Sequence, residues 1–517
     1  MYTNRPSASP TAQNLPIDHA QDVAAGASDV RAPAAASASA VGASAATSGA
    51  AAAAPPATTR AALIAAVSAS ASGAAPEYIP PLYEEMLGIA AGYLEGDDQL
   101  TLRSMSPAVK VKTDQQIETL SMSPREAVAF FQDTAGLPNL KQLTINMKTI
   151  NSSNVDVSDL DDFVDVLEHA RYAPFELVLR EKGLETSISA DVLQRLSVLP
   201  LSGLTLHPTY NFDLARFAGL ERAKFDLSIS LDNVSGMRDF DVLVNLPSLT
   251  SLSMGDKVPS PTQAALLGSH PALTVLKTER RLIQPAELLP ILSNRHLETL
   301  SVNWIAIESM EVIEALAGHP SITTLELGVI QKPALLSAIF QNPVIGSLQL
   351  TPYCLYPSVM HQIAEMPSLR TFTLTEGDAS SPAPDAESLR ALCTRPLASL
   401  SFEGVKLNEA TIVIAAGAHA QSLTIQNNGG TSDQVHAQAG TLHQAAIAAL
   451  VANPHVSSLS FKGHIVSGGA AQLAGAPGLK KLSIDIVSAD ETVESVQDAW
   501  QRVGKSLVDL TVSITAA

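Results

Sequence analysis

Two cysteines in 517 residues, Cys354 and Cys393, lie far apart and outside any CxxC spacing, which excludes a disulfide framework and a structural zinc site. The chain is therefore read as made for a reducing compartment. Aromatic residues make up only 4%, so a core has to be built from Leu, Ile, Val and Ala. Basic residues are scarce too: 32 Lys and Arg against 51 Asp and Glu leave a net charge of -19. Nucleic acid and anionic membranes need basic surface to displace counterions, so neither is expected as a partner. No apolar run approaches the ~20 residues that span a bilayer. The longest, Ala61 to Val67, is far too short, and MYTNRPSASP carries no apolar run after its first charges, so no Sec signal is read there. HExxH, GxSxG, a phosphate-cradling glycine loop and paired metal spacings are also missing. No catalytic residue, metal or cofactor is expected.

What is present falls into three parts. Residues 1–75 are low-complexity, and 15 of the 30 residues from Arg31 to Arg60 are Ala. Such a segment buries too little surface to offset its ordering entropy and reads as a disordered tail. From residue 111 to 517 one phrase recurs, as in LTSLSM, LETLSV, ITTLEL and LKKLSI. Its first core residues fall at 120, 143, 177, 204, 225, 252, 276, 300, 325, 348, 372, 400, 423, 459, 482 and 510, in steps mostly of 23 to 28. This is a leucine-rich repeat period of about sixteen units.

LxL alternation predicts a short strand buried on one face, and stretches such as TQAALLGSH, MEVIEALAGH, ALLSAIFQN and HQAAIAALVAN have helical spacing. Pro138, Pro247, Pro271, Pro320, Pro343, Pro367, Pro454 and Pro477 each stand five residues before the LxL core residue, where proline stops the helix. The expected fold is an α/β leucine-rich repeat horseshoe, a right-handed solenoid with a concave parallel sheet and convex helices. The Asn that such repeats carry three residues beyond LxL is mostly replaced, by Lys257, Ile330 and Val405 among others. The turns must then satisfy their backbone in another way. His270, His319 and His455 flank the helix-ending prolines, where a partly charged imidazole suits a helix C-terminus.

Residues between the LxL leucines point to the concave face and are mainly Ser and Thr, for example Thr299 and Ser301. Binding by this face is expected of the larger side chains that interrupt it: Lys277, Glu279, Arg280, Glu326, Gln349, Glu403 and Lys462. Two spacings are long, 143 to 177 and 423 to 459. The second holds QNNGGTSDQVHAQAGTLH, an insertion over 426–443 of the kind that forms a loop on one face. LxL units run on to Leu510, and VESVQDAWQRV with Trp500 reads as part of the last unit or its cap.

Between tail and array lies LYEEMLGIAAGYLEGDDQLTLRSMS. Leu82, Met86, Ile89, Tyr93 and Leu94 recur at helical intervals until Gly96, and Asp97 or Asp98 caps a second helix carrying Leu102 and Met105. A repeat array needs atypical end units, so residues 76–110 read as an N-terminal cap or as a separate module. Tyr93-Leu94, Asp98, Leu102-Arg103, Met105 and Ser106 resemble an F-box in its register, although Ile79-Pro80-Pro81 lies upstream of the family's place, Gln99 replaces a Leu and Val109 the final aromatic. With the leader and the repeats, the chain resembles the GALA class of F-box/leucine-rich repeat type III effectors of plant-pathogenic bacteria. That resemblance implies secretion into a host cell and a non-enzymatic role in the ubiquitin pathway. Leu82, Met86, Ile89, Leu94, Leu102 and Met105 would bind a host Skp1-type adaptor, and the repeats would hold a host target protein. The alternative from the residues alone is a repeat protein that sequesters or blocks a host protein, with residues 76–110 only a cap.

Overall fold

The computed structural model describes residues 107–517 apart from 134–136, 149–156, 170–171, 183–187, 306–308, 331–335, 352–356, 376–385, 406, 408, 427–440, 489 and 517. The F-box-like stretch and its six candidate adaptor contacts lie outside these residues, as do Cys354 and most of the 426–443 insertion.

Sixteen strands form one parallel sheet in strict sequence order. They are β1 (Thr119–Met122), β2 (Gln142–Lys148), β3 (Glu176–Lys182), β4 (Gly203–His207), β5 (Asp226–Ser230), β6 (Leu249–Ser253), β7 (Val275–Ile283) and β8 (Thr299–Ile305). There follow β9 (Thr324–Ile330), β10 (Ser347–Leu350), β11 (Thr371–Thr375), β12 (Leu397–Glu403), β13 (Ala420–Gln426), β14 (Ser458–His464), β15 (Lys481–Ser488) and β16 (Leu510–Ala516). The LxL leucines pair in register, Leu276 with Leu300 and Leu300 with Leu325, and all three are fully buried. Helices between the strands each pack on the next, so every unit covers its neighbour's apolar face. A leucine-rich repeat solenoid is thereby established.

Leu177, a degenerate match to the phrase, pairs with Leu143 as its spacing predicts. Phe225 does not hold the equivalent place: Leu227 pairs with Leu204, and the chain slips by one residue between Leu227 and Ser228 against β6. Phe225, Leu227, Ile229 and Leu231 all alternate, so alternation alone does not choose the paired residue. Helices fill Pro261–Gly268, Met310–Ala317 and Gln444–Ala452 as expected, and each ends shortly before its proline. Among the described residues, ALLSAIFQN departs from its pattern, with 3-10 turns at 336–337 and Ile339–Gln341. The long 143-to-177 step holds a thirteen-residue helix, Val157–His169.

The polar group that replaces the missing Asn sits elsewhere in the unit, six residues before the LxL core residue. Asn294 Nδ2 donates to Leu267 O at 3.0 Å and His270 O at 3.2 Å in the preceding unit, while its Oδ1 accepts from His296 N at 2.9 Å. Asn342 and Asn453 repeat this pattern, to Leu316 and His319 carbonyls and to Ala416 and Ala418 carbonyls. Arg395 Nη1 reaches Ala364 O at 2.7 Å, and Lys257 Nζ reaches Leu231 O at 2.8 Å. The three asparagines and Arg395 thereby tie carbonyls at these helix ends to the next unit, with Leu267 O and Leu316 O also accepting from His270 N and His319 N, and Lys257 does the same for the carbonyl that follows β5.

His270 belongs to the same ladder, and this corrects the expectation of a charged imidazole. Its Nδ1 accepts from Ala272 N and Leu273 N at 3.2 and 3.1 Å, so Nε2 carries the proton and donates to Leu246 O at 3.0 Å. His319 Nδ1 likewise accepts from Ser321 N and Ile322 N. Its Nε2 faces the Leu292 and Asn294 carbonyls without closing a good hydrogen bond. Burial pushes both imidazoles below their usual range. His455 is exposed instead, its ring 4.2 Å from that of His419.

A native pKa below the unfolded value means that the unfolded chain binds more protons. The histidine contribution is therefore complete above pH ~6.5 and is lost as pH falls through the lower native values, by up to about 1.4 kcal/mol per pH unit for each ring. Carboxylates add their own slope, so the test is a difference. His270→Asn with His319→Asn, which installs the ladder residue of other units, should flatten the fall in urea midpoint between pH 7 and 5. An unchanged slope would show that the two rings do not couple to folding.

Buried carboxylates do similar work near the ends of the array. Glu491, 8% exposed, accepts from Ala470 N at 2.9 Å and Ala471 N at 3.2 Å, at the start of helix Gly469–Ala474, which has no cap of its own. Glu491→Ala should cost about 2 kcal/mol. Amide exchange at Ala470 and Ala471 reads the loss, and unaltered exchange would contradict it. The last helix, Val493–Arg502, buries Trp500 completely, with Nε1 donating to Ser506 O. At the other end, helix Pro107–Asp114 runs across residue 110, and Lys110 pairs with Asp133 of the first repeat at 2.6 Å.

Candidate functional site

The sheet face opposite the helices is set out by register. One row runs Thr299, Thr324, Ser347, Thr371, Ser399, Ser422 and Ser458. The next runs Lys277, Ser301, Glu326, Gln349, Thr373, Ser401, Thr424 and Ser460. Hydroxyls in these two rows are half-buried apart from Ser401, which is buried and donates to Glu403 Oε1 at 2.8 Å.

The expected binding residues separate into two groups. Lys277, Glu326 and Gln349 share the second row, with Lys277 Nζ 4.0 Å from Glu326 Oε1 across Ser301. Glu403 and Lys462 lie two residues further along their strands on the same face, with Gln426 between them. Lys462 pairs with Asp485 at 3.1 Å, a partner that size-based selection overlooked although Asp485 holds the equivalent place in β15. Exposed pairs of this kind contribute little stability, which leaves their charges available to a partner. Glu279 and Arg280 lie in β7, where the register breaks between Thr278 and Leu282, so strand parity does not assign them a face.

A cavity of about 480 Å³ opens where the chain leaves β3 to β6, and sequence reading gave no sign of it. Its lining includes Lys182, Thr209, Tyr210, Asp232, Asp256 and Lys257. Buried Glu181 supports the wall by accepting from Ile188 N and Thr209 N, both at 3.1 Å. Asp232 accepts from Ser230 Oγ and from Ser253 Oγ, each at 2.6 Å. Lys257 is held by Asp256 at 2.6 Å and by the Leu231 carbonyl. Tyr210 is 54% exposed beside them. Nearby, burial and the charge of Arg180 lower the His207 pKa, against the pull of Asp232.

The chemistry of these groups is that of a binding surface. Cys393 is buried and its thiol is pushed up to about 12, which makes it a core residue and a poor nucleophile. Among the described residues, no group of three or more His, Cys, Asp or Glu side chains is placed to hold a metal ion. Among the same residues, no helix is long and apolar enough to cross a membrane.

Fold and surface together define the class: a leucine-rich repeat scaffold of the kind that presents a sheet face and loop ends to a partner. No family model matches the chain, and no curated protein matches it. Among solved structures, an internalin from Listeria monocytogenes is similar at 14% identity over 69% of this chain and 93% of that one, with a TM-score of 0.31. The TLR13–ssRNA13 complex is similar at 14% identity over 74% of this chain and 57% of that one, with a TM-score of 0.34. Likeness of this degree carries nothing about what the chain binds.

Proposed function

We propose that the chain is a non-catalytic specificity adaptor. Residues 76–110 dock as an F-box-like module on a host Skp1-type adaptor of an SCF ubiquitin ligase, and the repeats hold the host protein to be ubiquitinated. The observation that carries this reading is a juxtaposition: Tyr93-Leu94, Asp98 and Leu102-Arg103 stand in F-box register directly before a repeat array whose first strand begins at Thr119. The Ala/Ser/Pro-rich leader supports delivery by type III secretion into the host cell. Proximity then does the work, and the catalytic groups belong to the ligase.

Purified protein should co-purify with a Skp1-type adaptor, and Leu94→Ala with Leu102→Ala should abolish that capture while the repeats keep their unfolding transition. One specific observation supports a second reading, in which residues 76–110 only cap the array and the repeats sequester a host protein. Helix Pro107–Asp114 is fastened to the first repeat by Lys110–Asp133, and Thr113 and Asp114 are buried. Intact, folded protein that captures no adaptor would leave this second reading standing.

A further inference from the structure

The cavity at the ends of β3 to β6 has walls that limit what it can take. An anion is opposed by Asp232 and Asp256, and Lys257 is already committed to Asp256 and to a backbone carbonyl. Among the described residues no three metal-ligating side chains converge here, and Glu181 is occupied by two backbone amides. An apolar group gains little among side chains that are mostly charged or hydroxylated.

A planar cation fits each constraint. The two serine hydroxyls fix the Asp232 carboxylate, and each oxygen keeps a further lone pair, so the pair forms a ready two-point acceptor. The exposed Tyr210 ring supplies a face on which a guanidinium stacks. Thr209, also in the lining, is 1% exposed and its hydroxyl has no hydrogen-bond partner. The net charge of -19 draws a basic partner toward such a surface. We propose that this cavity is a socket for an arginine side chain presented by a basic protein partner, anchored by Asp232 and Tyr210. The proposal rests on the reading of the repeats as a protein-binding array.

Titration calorimetry on the full chain with acetyl-Gly-Arg-Gly-amide, and with its lysine and citrulline counterparts, tests it. The arginine peptide should bind saturably, and the lysine peptide at least about fivefold more weakly, because an ammonium lacks the planar fork. Citrulline, neutral and of the same shape, should not bind measurably. Asp232→Asn, at an exposed carboxylate, should weaken the arginine peptide about threefold, and Tyr210→Ala, a change at an exposed ring, should weaken it severalfold. Glu311→Gln, an exposed change on helix Met310–Ala317, should leave affinity unchanged. Equal binding of the three peptides, indifference to Asp232→Asn, or no saturable binding by folded protein would each overturn the socket. Capture of the Skp1-type adaptor is read separately, so failure here and failure of the adaptor reading are distinguishable.

Discussion

Replacing Asn294 with alanine should cost about 3 kcal/mol, since it removes hydrogen bonds to the Leu267 and His270 carbonyls and from the His296 amide at about 1 kcal/mol each. Asn294 is 2% exposed, donates to the Leu267 and His270 carbonyls, approaches Leu273 O at 3.5 Å, and accepts from His296 N. Leu267 and His270 are buried, and of the two carbonyls only that of Leu267 has a backbone donor as well, His270 N. In a solenoid each unit contacts only its neighbours, so the damage should be local. Amide exchange should rise in β6 to β8 and stay unchanged in β14 to β16. Asn294→His should retain most of the stability, because His270 meets the same need with the same acceptor and donor arrangement. A uniform rise in exchange along the array would show that the ladder is not what joins these units.

Gly268→Ala should be comparably damaging for a steric reason. Gly268 ends helix Pro261–Gly268, and a Cβ there would lie 1.9 Å from Pro290 O and 2.8 Å from Pro290 C in the helix of the next unit. Both obstacles are backbone, so relief requires the two helices to part, at about 3 kcal/mol or more. Gly417→Ala provides the contrast. It also follows a helix, Glu409–Ala416, but its Cβ would meet nothing closer than 3.6 Å, and the change should shift stability by less than about 1 kcal/mol. Thermal unfolding of the two variants measures the difference, and equal midpoints would contradict the close approach.

The array was legible in the sequence because its signals are local and repeated. LxL alternation places the buried leucines, and the helix-ending prolines mark where each strand begins. Legibility failed where the deciding contact lies in another unit. Phe225 and Leu227 look alike until β4 and β6 fix the register. The ladder joins side chains to carbonyls one unit away, although a trace was visible: His270, Asn294, His319, Asn342 and Asn453 all stand six residues before an LxL leucine. His270 and His319 are not the charged rings expected, because sequence shows their place at a helix end but not their burial.

On the sheet face, side-chain size points to Lys277 and Glu326 and passes over Asp485, whose place shows only in the strand register. The cavity left no periodic mark, because it is assembled from the residues that follow four successive strands, where the repeat constrains composition least. Tyr210, Asp232 and Lys257 come together only through the stacking of units. The F-box-like register is of another kind, a short linear pattern whose meaning depends on a partner rather than on the fold.

The adaptor claim is tested most directly by mixing the purified 54.1 kDa chain with a Skp1-type adaptor and measuring mass by light scattering during gel filtration. The account predicts a single species heavier than the chain by one adaptor, absent for the Leu94→Ala, Leu102→Ala variant. Separate elution of the folded chain and the adaptor at their individual masses would contradict it.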